Sequence, residues 1–153
     1  MPGVAVNGST YETTVEGYVT FDIFTRRRTG TDEHGNPEYE WDESPGKTNA
    51  KITGSVIASS KMKINGVSVA VVGDRTNETW VASPPVPSDT ERVRYRNIQP
   101  GTSGSGQGEI ITGSTKGKLD GKPIALIGST VRTIIPNATA TIRTGNEKMK
   151  FSS

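Results

Sequence analysis

Apolar and polar residues alternate with a period of two through much of the chain. In residues 11–25, Val19, Phe21 and Ile23 fall on one side and Thr20 and Asp22 on the other, which predicts a strand. Residues 26–46 are highly charged and carry Gly30, Gly35-Asn36-Pro37 and Ser44-Pro45-Gly46, predicting an exposed hairpin or loop with its tip near Gly35. Residues 51–73 hold two short alternating runs around Asn65-Gly66, a pair suited to the positive φ angles of a type I′ hairpin turn. Residues 76–101 contain Pro84-Pro85, Pro87 and a basic run, and read as an excursion from the core. Residues 101–108, Gly-Thr-Ser-Gly-Ser-Gly-Gln-Gly, read as a flexible or closely packed turn. Residues 109–128 repeat the strand-turn-strand pattern around Asp120-Gly121, and residues 138–151 alternate again.

Composition turns this pattern into a fold class. Thirteen Val and twelve Ile stand against two Leu, Leu119 and Leu126, while Gly, Ser and Thr fill 52 of 153 positions. Helical domains favour Leu and Ala, whereas β-branched residues suit a pleated, half-buried surface. The expectation is a single all-β domain: an N-terminal strand region over 1–25, a charged insertion over 26–46, and a core over 47–153 interrupted by an excursion at 77–100. No apolar stretch reaches membrane-span length, and Met1-Pro2-Gly3-Val4 lacks the start of a signal peptide, so synthesis in the cytoplasm is expected. Without Cys there are no disulfide staples or thiolate zinc sites.

An internal repeat is the most informative feature. Residues 59–73, Ser-Ser-Lys-Met-Lys-Ile-Asn-Gly-Val-Ser-Val-Ala-Val-Val-Gly, align with residues 114–128 at a constant offset of 55. Lys61/Lys116, Lys63/Lys118, Gly66/Gly121, Ala70/Ala125 and Gly73/Gly128 are identical; Asn65 faces Asp120, and Ser68 faces Pro123. A truncated third copy closes the chain as Asn146-Glu147-Lys148-Met149-Lys150-Phe151, so Lys-x-Lys-apolar recurs at Lys61, Lys116 and Lys148. Similar strands, Glu109–Gly113 and Thr141–Gly145, precede the second and third copies. Three related β units suggest an object with approximate threefold symmetry.

The motif resembles the PAAR-repeat family, cone-shaped proteins that sharpen the central spike of contractile injection machines. Gly113-Ser114 through Lys118-Leu119-Asp120-Gly121-Lys122-Pro123-Ile124-Ala125-Leu126-Ile127-Gly128 fits the family pattern, as does Ile64-Asn65-Gly66 through Val72-Gly73-Asp74. Of the naming tetrapeptide, Pro123 and Ala125 survive in one copy and Ala70 in the other; Val71 and Leu126 replace its Arg. The resemblance covers about residues 47–151. It implies a short-stranded cone with internal threefold symmetry, one per trimeric β-helical spike, in a phage-tail-like particle, contractile phage or type VI machine. It also implies transient contact with a target envelope and an effector cargo carried on termini or insertions. Many members bind a metal near the apex through several His and sometimes a Cys. This chain has His34 and no Cys, so no metal ligands and no cofactor are expected.

Other chemistry finds little purchase. His34 lies in Glu33-His34-Gly35-Asn36-Pro37, a turn better read as solvated than as part of a catalytic triad. Glu38, Glu40 and Asp42 alternate, as carboxylates for calcium or glycoside chemistry would, but a charged hairpin explains them. Gly104-x-Gly106-x-Gly108 has no following helix to bind a dinucleotide phosphate, and Lys116-Gly117-Lys118 lacks phosphate-loop spacing. Arg92, Arg94 and Arg96 alternate around Val93 and Tyr95. They read as a solvated basic face, able to pair with the acidic 32–43 segment, rather than as a nucleic-acid site. Three glycosylation acceptor patterns, at Asn7, Asn77 and Asn137, are read as coincidental. The sequence thus points to a non-enzymatic spike tip with a trimeric partner and no nucleic acid. The rival reading is a β-sandwich adhesin or carbohydrate-binding module using Trp41, Trp80, Tyr39 and Tyr95 as platforms.

Overall fold

A computed structural model describes residues 1–151. Among them it contains strands and no helix, as the Val, Ile and Thr content requires. In chain order the strands are β1 (Gly3–Val4), β2 (Thr10–Thr31), β3 (Pro37–Val56), β4 (Lys63–Ile64), β5 (Val67–Ser68), β6 (Arg75–Ser83) and β7 (Val93–Gln99). They continue with β8 (Ser103–Ile110), β9 (Lys118–Leu119), β10 (Lys122–Pro123), β11 (Thr130–Arg132), β12 (Thr139–Thr141) and β13 (Asn146–Lys150). The chain forms two compact units. The first takes residues 1–14, 51–80 and 104 onward; the second takes 15–50 and 81–103.

In the first unit the strands follow the order β12-β11-β8-β6-β3-β2. The two ends of that order meet: Arg143 N donates to Thr10 O at 2.9 Å, and Thr10 N donates to Thr144 Oγ1 at 2.8 Å. The enclosed core is built from Ala5, Tyr11, Val56, Ala70, Ile110, Ala125, Val131, Ala140 and Ile142. Beside it stand three strand pairs, β4-β5, β9-β10 and β1-β13, over a second cluster of Val4, Val69, Ile124 and Leu126.

Two segments differ from their sequence-based expectation. Residues 103–108 are strand rather than turn. Their glycines line one side of β8 because neighbouring groups occupy the space a side chain would fill. A Cβ on Gly104 would lie 2.8 Å from Trp80 Cε2, one on Gly106 2.9 Å from Ile134 Cγ2, and one on Gly108 2.7 Å from Arg132 O. The start of the 77–100 excursion is likewise strand: Thr76, Glu78, Trp80 and Ala82 alternate inward along β6. Prolines mark the excursion only from Pro84 onward.

The second unit takes the order β3-β2-β7. Val19 and Phe21 are buried on β2, as the alternation predicts, and Phe21 meets Tyr95 edge-on with centroids 5.9 Å apart. The β2-β3 hairpin turns at residues 32–36, as expected. Asp32 Oδ1 accepts from His34 N at 2.9 Å and Asn36 N at 2.8 Å, and Gly35 takes φ 81°. Strand β7 pairs with Thr20–Thr25 of β2, not with the acidic segment.

Candidate functional site

The repeat residues predicted from sequence come together in the first unit. Asn65 and Gly66 turn β4 into β5 with φ 53° and 80°; Asp120 and Gly121 turn β9 into β10 with φ 53° and 79°. Both positions need positive φ, which Asn, Asp and Gly tolerate best. The registers match: Lys63 opposes Ser68, and Lys118 opposes Pro123. The third pair is assembled from distant segments. Lys150 opposes Gly3, and Phe151 N donates to Pro2 O at 3.2 Å. The truncated third copy is thus completed by residues 2–9. That segment was missed in the linear reading, although Val4-Ala5-Val6-Asn7-Gly8-Ser9 parallels Val69–Asp74 and Ile124–Ser129 position by position.

The three copies bond in a closed cycle. Ala5 N donates to Ala125 O, Ala125 N to Ala70 O and Ala70 N to Ala5 O, each at 2.9 Å. Two residues on, a second closed cycle runs in the opposite donor sense: Asn7 N to Ser68 O at 2.9 Å, Val72 N to Pro123 O at 2.9 Å, and Ile127 N to Gly3 O at 2.8 Å. The antiparallel bridges Val4–Leu126, Val6–Val69 and Val71–Ile124 link the same three segments pairwise. Ala5, Ala70 and Ala125 are wholly buried, and small side chains let three backbones converge there.

Each copy then leaves the cycle through the same loop. Gly8, Gly73 and Gly128 take φ 89°, 98° and 99°. Their amides donate to Val56 O, Ile110 O and Ile142 O at 2.8, 2.9 and 2.8 Å. One side chain closes each loop: Val6 N donates to Ser9 Oγ at 2.9 Å, Val71 N to Asp74 Oδ2 at 3.0 Å, and Leu126 N to Ser129 Oγ at 2.8 Å. Burial holds the Asp74 carboxyl above the ordinary carboxylate range, against the pull of the Val71 amide and Lys122.

The paired lysines point outward. Lys61, Lys63, Lys116, Lys118, Lys148 and Lys150 are exposed, while Met62, Ile64, Leu119, Met149 and Phe151 pack against the Val4–Val69–Ile124–Leu126 cluster. Gly117 departs from the Met at the matching positions because the Phe151 ring takes its place; a Cβ would lie 2.7 Å from Phe151 Cδ1. A His-based metal site does not fit here. The residues facing inward are apolar, and His34 lies in the second unit's exposed turn, 3.8 Å from Glu33. Among the described residues no group of three or more His, Cys, Asp or Glu could hold a metal ion.

Elsewhere the polar clusters are internally satisfied. Buried Glu78 accepts from Tyr11 Oη and from Ile134 N at 2.9 Å; Thr76 Oγ1 accepts from Gly108 N at 3.0 Å. Burial, reinforced by Glu78, holds the Tyr11 hydroxyl far above its usual range, so it stays a donor. Glu40 and Asp42 pair with Arg27 at 3.2 and 2.9 Å. Arg94 lies over the Trp41 ring at 4.2 Å and Arg26 over Tyr39 at 4.0 Å, while Trp80 is buried above Gly104. No helix among the described residues is long and apolar enough to cross a membrane. No family model, curated protein or solved structure matches the chain.

Proposed function

We propose that this chain is the structural tip of a contractile injection spike, capping a trimeric β-helical partner at one copy per trimer. In this reading the chain is not an enzyme, belongs to a phage-tail-like particle or virion baseplate, and touches a target envelope transiently. Its termini or insertions are where an effector cargo would attach. The observation that carries the reading is the closed hydrogen-bond cycle of Ala5, Ala70 and Ala125. One chain presenting three equivalent strand-turn units in cyclic order, with approximate threefold symmetry, offers a matching surface to three identical chains. Short strands, tight turns and a close-packed apolar cluster also leave little slack under load.

The test is co-expression with trimeric spike proteins from the same gene neighbourhood, followed by native mass spectrometry. A complex of one tip chain and three spike chains is expected. A chain that stays monomeric with every such spike overturns the reading.

A further inference from the structure

We propose that the three Lys-x-Lys segments form a docking surface for anionic phospholipid headgroups. Six of the chain's nine lysines lie in these segments, two in each copy and at matching positions. Lys63, Lys118, Lys148 and Lys150 are on strands, and Lys61 and Lys116 sit in the bends just before β4 and β9. Apart from the turn glycines and the central alanines, several positions of the repeat diverge: Met62 and Met149 against Gly117, Ser68 against Pro123 and Gly3. All six lysines are exposed, and none has a carboxylate within ion-pair distance among the described residues. The same strand pairs add Lys122 and carry only Asp120 and Glu147 as opposing acids. The cyclic bonding of the copies gathers these cations around one apolar cluster.

The chemistry favours a lipid surface over nucleic acid. Bases are held by aromatic stacking between cationic contacts, and here the residues between the lysines are Met62, Gly117 and Met149. Those methionines pack inward. Lysine ammonium groups on flexible stems suit a laterally mobile array of phosphates, and clusters of roughly four to eight cations hold to anionic leaflets. The inference names a chemical partner for the envelope contact in the tip reading, yet it stands on the hairpins alone. Vesicle binding can fail while spike capping succeeds, and the reverse, so the two failures are distinguishable.

The experiment is co-sedimentation of the full chain with phosphatidylcholine vesicles containing about one-third phosphatidylglycerol, against pure phosphatidylcholine. Binding to the anionic vesicles alone is expected, with loss at roughly 0.5 M salt. The double variants K61Q/K63Q, K116Q/K118Q and K148Q/K150Q should each weaken partitioning by about tenfold or more, whereas K47Q/K51Q should not. Lysine-to-arginine versions of the same pairs should restore it, which separates charge from folding. Equal binding by the Gln variants, no binding to anionic vesicles, or displacement by equimolar single-stranded DNA overturns the proposal.

Discussion

One position in the loop that leaves each repeat is filled by two chemistries. Ser9 and Ser129 close their loops with a hydroxyl, and Asp74 closes the equivalent loop with a carboxylate. Burial raises the Asp74 pKa above 3.8, so the folded chain takes up a proton more readily than the unfolded one. Its contribution to stability therefore falls as pH rises from the unfolded value through the raised folded one. Asp74→Ser keeps the acceptor and removes the half-buried charge. The expected result is a Tm gain of up to about 2 °C at neutral pH, small because the group is partly exposed, and no gain near pH 3. Thermal melts of the two proteins across that range check the sign. A variant stabilised most at low pH would contradict it.

The loops and hairpins show which elements could be read from local chemistry. Asn65-Gly66 and Asp120-Gly121 announce their turns, since few residue pairs accept positive φ twice. Gly8, Gly73 and Gly128 also have positive φ, and a Cβ on any of them would meet nothing within 4 Å. Alanine at each site therefore costs backbone strain alone. Gly8→Ala, Gly73→Ala and Gly128→Ala should each lose about 1–2 kcal/mol in urea unfolding, by closely similar amounts. A series with one neutral and one severe member would contradict their equivalence. The glycines of β8 mislead the linear reading for the opposite reason. Gly104, Gly106 and Gly108 are needed for clearance beneath Trp80, Ile134 and Glu78, and that need belongs to neighbours 24 to 30 positions away in sequence.

In the molecule as a whole the first nine residues are structural, although they carry few of the chain's apolar residues. Val4 and Ala5 are wholly buried, and Ala5 supplies one link of the three-membered cycle. Deleting residues 1–9 leaves Ala70 and Ala125 with unpaired buried backbone groups and opens the apolar cluster. The deletion should abolish cooperative unfolding as followed by near-ultraviolet circular dichroism. A circular permutant that joins the ends through Asn-Gly and reopens the chain between Asp120 and Gly121 should retain it, because each hairpin is then an equivalent place for the break. Loss of folding in the permutant, or a native melt in the deletion, would contradict the cyclic arrangement.

The all-β class, the two Gly-turned hairpins and the charged hairpin with its tip near Gly35 are written in local chemistry. Each follows from side-chain alternation or from the φ demands of a few adjacent residues. Of the three expected Lys-x-Lys strands, by contrast, only Lys148–Lys150 is strand throughout, Lys61 and Lys116 falling in bends ahead of β4 and β9. Pairing across long separations is not written that way. Strand β13 finds β1, and Thr20–Thr25 finds β7, because those matches bury apolar faces and satisfy backbone groups that no short window of sequence displays. The third repeat is the clearest instance. Its halves lie at opposite ends of the chain, and folding joins them because Ala5 is the residue whose N–H and C=O complete the cycle begun by Ala70 and Ala125.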